Sequence, residues 1–231
     1  MDKLYPGLDY ETAQHVDTLS RLMYELRENR KNLLAAVKVD SDSALFDGLR
    51  NGSIAEHPGY EHWLAHHILA EAAETVRRQI EQVIASVQPA AQEPEALPVP
   101  IHLQLLEALH TRLPAALAAG PELHQDALLL KLRNGVTLTV RYATPHAFSL
   151  RWAWPAQPQA ESQSPAGDTD DTGVTHSAGI DTAPCHAGHP HLHLDGQVRP
   201  APLIRCDASP EENLFALIEA LDRDPRLIQD E

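Results

Sequence analysis

The chain has 231 residues, with 18 Lys+Arg against 33 Asp+Glu for a formal net charge of -15 at pH 7, plus 14 His and only 2 Cys. That length accommodates one large domain or two small ones, and the acidic balance disfavours general nucleic-acid affinity, which draws on clustered Lys and Arg. No run approaches the eighteen or so apolar residues of a membrane span, the N-terminus is unlike a signal peptide, and two cysteines build no disulfide framework, so the expected compartment is the cytoplasm.

In chain order, Val16, Leu19, Met23, Leu26, Leu33 and Val37 recur at three- and four-residue steps, interrupted at Arg30, and predict a long helix over 10–38. Asp40 to Ser43 supply turn and cap chemistry for a short helix at about 44–50, stopped by Asn51-Gly52. The connector 53–60 leads into a second long helix over 60–87, with Trp63, Ile68, Val76, Ile80, Val83 and Val87 as its apolar positions. Together these segments read as an antiparallel helical hairpin domain, residues 1–88. Its apolar stripes are narrow, which implies dimerisation or docking on the C-terminal part. His62 and His66 stand at i, i+4, a spacing that holds metals, but no Glu lies between them as in H-E-x-x-H. With His57 and His67 they read as polar helix-face residues.

Four prolines between 88 and 100 mark a semi-rigid linker at 89–100 and the domain boundary. A helix over about 101–118 follows, with Leu105, Leu106, Leu109 and Leu113 inward and Pro114 expected to kink it or end it early. Alternation at Leu128, Leu130 and Leu132, the turn Asn134-Gly135, and alternation at Val136, Leu138, Val140 and Tyr142 predict a β-hairpin. A third strand over 147–154 presents Phe148, Leu150, Trp152 and Trp154 on one face. Arg133, Arg141 and Arg151 then share the opposite face, as solvated side chains or as a groove for phosphates. Residues 155–179 are rich in Pro, Gln, Ser, Gly, Asp and Thr and read as a disordered insertion, with His176 incidental to it.

The densest chemistry lies between Asp181 and Leu194, where His186, His189, His191 and His193 fall within eight positions beside Cys185. Each imidazole titrates near neutral pH and carries a lone pair for a proton or a metal. Asp195-Gly196 is a second turn signal that makes His191–Leu194 one arm of a hairpin, with His191 and His193 on one face and Leu192 and Leu194 on the other. Ser209-Pro210-Glu211-Glu212 reads as a capping box that starts a closing helix. The predicted class is α+β: a helical hairpin, then an antiparallel sheet with flanking helices.

Residues 101–225 resemble the TumE-like toxins of bacterial toxin–antitoxin pairs in element order and in two motifs. Asp181-Thr182-Ala183-Pro184-Cys185-His186 is similar to that family's Asp-Asn-Ala-Pro-His-His, and His189-Pro190-His191-Leu192-His193 to its Pro-His-His-x-His. Thr182 and Cys185 depart from the pattern, as does the insertion before it. The resemblance implies a toxin-like protein with a cognate antitoxin as partner and RNA as a substrate; the narrow stripes of the helical hairpin add a second copy as the other expected partner, and composition implies no membrane. It motivates metal-independent RNA cleavage, with His191 and His193 moving protons, His186 in support, and Arg151 or Arg141 on the phosphate. Two alternatives stand beside it. Zinc bound by Cys185 and His189 with His186, His191 and His193 is one. A non-catalytic interaction module, with the histidines filling a polar loop shaped by proline, is the other. No Walker loop, G-x-G-x-x-G or G-x-S-x-G occurs, which excludes those nucleotide-binding and serine-hydrolase classes.

Overall fold

A computed structural model describes residues 8–86, 99–112, 114–155, 175–201 and 203–227. The chain builds α1 (Tyr10–Ala36), α2 (Asp42–Asn51), α3 (Glu56–Ser86), α4 (Ile101–Thr111) and α5 (Pro210–Arg223). It also builds β1 (Glu122–Leu123), β2 (Leu128–Lys131), β3 (Thr137–Thr144), β4 (Ala147–Pro155), β5 (Thr175–Asp181), β6 (His191–Leu194) and β7 (Gln197–Pro200). The seven strands form one antiparallel sheet in sequential order, so the expected α+β class holds.

Period-two alternation divides the sheet into an apolar and a polar face. Leu138, Val140, Leu150, Trp152, Ile180, Leu192 and Leu194 point to the apolar face, which α4 and α5 cover with Leu105, Leu109, Leu214, Leu217 and Ile218. The closing helix starts as the sequence predicts: Ser209 Oγ accepts from the Glu212 amide and Glu212 Oε2 accepts from the Ser209 amide. Asn134 opens the β2–β3 turn and donates its amide to the Leu221 carbonyl at 2.8 Å, fastening the end of α5 to the sheet.

The polar face is not left to solvent. The long helices α1 and α3 pack along one another through Leu19, Leu26, Leu69 and Val76. The start of α3 and α2 then lie on the sheet, where Leu45, Leu49, Tyr60, Leu64 and Ile68 pack with Ala143, Ala147 and Ala183. The expected docking of the helical hairpin on the C-terminal part is therefore observed, and the sheet is sandwiched between two helical layers. Tyr60 and Thr182 join their hydroxyls at 2.9 Å across this boundary, and Thr182 Oγ1 accepts from the Phe148 amide at 3.0 Å.

Two expected boundaries move. The helix expected over 101–118 with an early end at Pro114 stops at Thr111, and Leu117 instead bridges to Leu132. Residues 175–179, expected at the end of an insertion, are strand: β5 pairs with β4 from Pro155↔Thr175 to Ser149↔Asp181, and His176 stacks on Trp154 with ring centroids 5.5 Å apart. Side chains of such low hydrophobicity are recruited because two strands flank them and satisfy their backbone groups. Val87, Leu113, the linker residues 89–98 and the insertion residues 156–174 lie outside the described residues.

Candidate functional site

Strand register assembles the site before any loop is considered. Ser149, Asp181 and His191 are successive cross-strand partners, and two residues along the same face the row runs Arg151, Gly179, His193. Directly opposed side chains on one face are close enough to interact. Gly179 leaves a gap in the second row that Arg151 occupies, since a Cβ there would sit 3.2 Å from Arg151 Cγ and 3.3 Å from the Leu150 carbonyl. His186 comes from the short 3-10 turn Pro184–His186, which follows β5 and faces α2.

The remaining groups come from the helical layer. His57 is extended (φ -109°, ψ 131°) at the mouth of α3, as expected for a residue before proline. Glu56 and His57 thereby reach across to the sheet, and Glu61 follows on the first turn of the helix proper.

The buried carboxylate of Asp181 and the half-buried one of Glu56 meet four imidazoles here. His191 Nε2 lies 2.9 Å from Glu56 Oε1 and 3.0 Å from Asp181 Oδ1, while His191 Nδ1 donates to the His189 carbonyl at 2.8 Å. His193 Nε2 is 3.1 Å from Glu56 Oε1 and 3.5 Å from Asp181 Oδ2, and His186 Nε2 is 3.3 Å from Glu56 Oε2. His57 donates Nδ1–H to Glu61 Oε1 at 2.9 Å and aims Nε2 at Asp181 Oδ2, 3.5 Å away. Asp181 is fully buried, and its Oδ1 also accepts from the Ala183 amide at 3.0 Å. Glu61 takes further bonds from Ser149 Oγ at 3.3 Å and Arg151 Nη1 at 3.2 Å.

Electrostatics follow from this packing. Burial works against the Glu56 carboxylate, but the His191 hydrogen bond and the charges of His193 and His57 outweigh it and hold its pKa down at about 2. Burial likewise disfavours a charged His191, yet hydrogen bonds to Asp181, the His189 carbonyl and Glu56 raise it to about 9. His193 moves the other way, lowered by burial and by the neighbouring charges of His57 and His191. Partial burial and the Glu56 carboxylate push the Cys185 thiol up to about 11.

The ligand geometry sorts into two overlapping sets. Glu56, His186, His191 and His193 each offer an atom within 4.8 Å of the others, and so do Glu56, His57, Asp181 and His193. Nitrogen and oxygen ligands about 2.0 Å from a tetrahedral ion lie about 3.3 Å apart, the scale of the contacts above. His191 and His57 also have the outer partner expected of metal-binding histidines, a carbonyl and a carboxylate respectively on the ring nitrogen that faces away.

Beside the cluster a cleft of about 540 Å³ opens between α3 and the sheet, lined by His57, Glu61, His62, Asp126, Arg141 and Arg151 among others. Arg141 is held by Asp126 at 2.9 Å.

Of the residues singled out from the sequence, His186, His191 and His193 converge as expected. Arg151 joins them through Glu61, and Arg141 lies across the cleft. Arg133 is exposed and instead donates to the Leu117 carbonyl at 3.2 Å. Cys185 and His189 are exposed, and His189 contributes its carbonyl rather than its ring. His66 is drawn to Asp42, 3.5 Å away, and to Arg30, 3.4 Å away, rather than to His62. Glu56 and Glu61 have no place in the sequence-based expectation, and His57, expected as a polar helix-face residue, instead joins the cluster. The usable signal was an acidic residue and a histidine side by side before Pro58, in a connector where neither has a packing role.

A family model described as the Uncharacterized protein MJ0235 family matches residues 14–87. That similarity takes in α1 to α3, with Glu56, His57 and Glu61, and stops before the sheet. No curated protein and no solved structure matches the chain. Among the described residues, no helix is long and apolar enough to cross a membrane.

Proposed function

We propose that the chain is a metal-dependent hydrolytic enzyme acting on RNA phosphodiesters, with a divalent transition metal held by Glu56, His186, His191 and His193. One observation carries the reading. His191 commits its Nδ1–H to the His189 carbonyl, so Nε2, facing two carboxylate oxygens at 2.9 and 3.0 Å, must carry either a second proton or a metal. Three imidazoles and a carboxylate suit zinc, which as a Lewis acid would activate water and polarise a phosphoryl oxygen.

The chain's own groups supply the rest. The His189 carbonyl fixes the His191 tautomer, and the first turn of α3 fixes Glu56 over the strand rows. Arg141 and Arg151 flank the cleft; a guanidinium has five donors, so the contact each makes with a carboxylate leaves others for a phosphate. The resemblance of 181–193 to the TumE-like motifs supports RNA as substrate and a toxin-like role for the chain.

A second reading keeps the residues and dispenses with the metal. The His191 and His193 rings lie 4.7 Å apart, close enough for one to take the 2′-hydroxyl proton and the other to return a proton to the leaving oxygen.

Both readings meet in one experiment on the full chain: metal analysis after exhaustive dialysis, then RNA cleavage with and without a chelator. At least one equivalent of bound transition metal is expected, with cleavage abolished by chelation and reduced on the order of 100-fold or more in His191→Ala. Cleavage by metal-free protein would shift the assignment to the second reading. Bound metal without any cleavage would remove RNA as the substrate.

A further inference from the structure

We propose that this centre is dinuclear, with a second divalent ion held by His57, His193 and Asp181 while His186 and His191 hold the first and Glu56 lies between them. The inference rests on the metal reading above and deepens it.

Three observations carry it. First, no single ion satisfies all six groups: the two ligand sets share Glu56 and His193, but His186 and His191 belong to one and His57 and Asp181 to the other. His193 presents only Nε2 to the cluster and can serve one ion; with two ions bound it passes to the second, and the first keeps Glu56, His186 and His191. Glu56 presents Oε2 to His186 and Oε1 to both His191 and His193, so Oε1 lies between the two positions while Oε2 faces the first.

Second, the second position is where polar atoms are left over. His57 Nε2, Asp181 Oδ2 and His193 Nε2 are buried and make no hydrogen bond of proper geometry, although Asp181 Oδ2 lies 3.5 Å from each of the two nitrogens. Burying three unpartnered polar atoms around one point is costly, and Asp181 has no exposed surface at all. An ion among them would satisfy all three at once.

Third, His57 is oriented as a ligand. Its Nδ1–H is fixed by Glu61, which is itself held by Arg151 and Ser149, so Nε2 presents a lone pair to Asp181. With the imidazoles neutral, Glu56 and Asp181 leave two negative charges in the cluster, and two divalent cations together with a bound hydroxide and a substrate phosphodiester would bring it to neutrality. Paired ions about 3.5–4 Å apart clamp the attacking and leaving oxygens of a phosphoryl displacement.

The test is zinc stoichiometry of the full chain, by calorimetric titration of apo-protein and by metal analysis after dialysis. Two equivalents are expected in the wild type and one in His57→Ala. Glu61→Gln keeps an oxygen for the His57 N–H while removing its charge, and is expected to bind the first ion as before and the second about 10- to 100-fold more weakly. Circular dichroism of each variant reports folding, and Glu61→Gln carries the test if His57→Ala unfolds. One equivalent in the wild type would overturn the dinuclear assignment and leave the metal reading standing. No zinc in the wild type would overturn both, and two tight equivalents in folded His57→Ala would remove His57 from the site.

Discussion

His191 and His102 are both buried histidines, and their surroundings drive them in opposite directions. His191 sits between two carboxylates. His102 faces an apolar sheet: its Nε2 accepts from the Tyr142 amide at 3.2 Å, and burial lowers its pKa to about 4. Acceptance requires a neutral ring. Above pH 6.5 the His102 ring is neutral whether the chain is folded or not, and its contribution is complete. Below that the unfolded chain takes up a proton that the folded one refuses until about pH 4, so stability falls as pH drops through this window. The loss amounts to about 3 kcal/mol at the low end. His102→Gln retains an acceptor without titrating, so the difference in urea midpoint between pH 7.5 and pH 5 is expected to be smaller in the variant than in wild type. Equal differences would show that His102 does not set this slope.

At the scale of elements, β4, β5 and β6 do most to place the chemistry, because antiparallel register puts Asp181 opposite His191 and Arg151 two strands from His193. A slip of one residue in β6 would send both histidines into the apolar core and both leucines to the polar face. The turn Asp195-Gly196, with both residues at positive φ (52° and 72°), holds β6 and β7 in register. On the other face α5 anchors the sheet from behind, and its capping box is local. Ser209→Ala is therefore expected to lower unfolding free energy by about 1 kcal/mol without changing metal content. Calorimetry and metal analysis on the same preparation check both halves.

For the whole molecule, the consequential fact is that the helical layer supplies part of the site. Glu56, His57 and Glu61 precede the linker, while Asp181, His186, His191 and His193 follow it. Residues 101–231 expressed alone are expected to bind no tight metal, since Glu56 would be missing from both ligand sets and His57 from the second. They would also expose the face of Ala143, Ala147 and Ala183 that Tyr60 and Leu64 cover. Metal content and oligomeric state of that fragment decide the point. A monomeric fragment that holds zinc as tightly as the full chain would place the whole centre in the sheet.

Much of this was legible locally. Three- and four-residue spacing located α1, alternation and Asn134-Gly135 located β2 to β4, and Ser209 to Glu212 located the start of α5, because each signal lies within one element and depends on backbone geometry alone. The crowding of His186, His191 and His193 likewise announced a site. What the sequence could not decide was the company those histidines keep. Glu56 and His191 are 135 positions apart, and nothing in either neighbourhood records the other. Their meeting depends on the helical layer burying its narrow stripe against the polar face of the sheet. That is a balance of apolar area, shape and charge summed over the whole molecule. The sequence alone therefore determined most of the elements and one half of the site; the packing of helix on sheet determined the other half, and with it whether three histidines stand as a polar loop or as part of a centre closed by the carboxylates of Glu56 and Asp181.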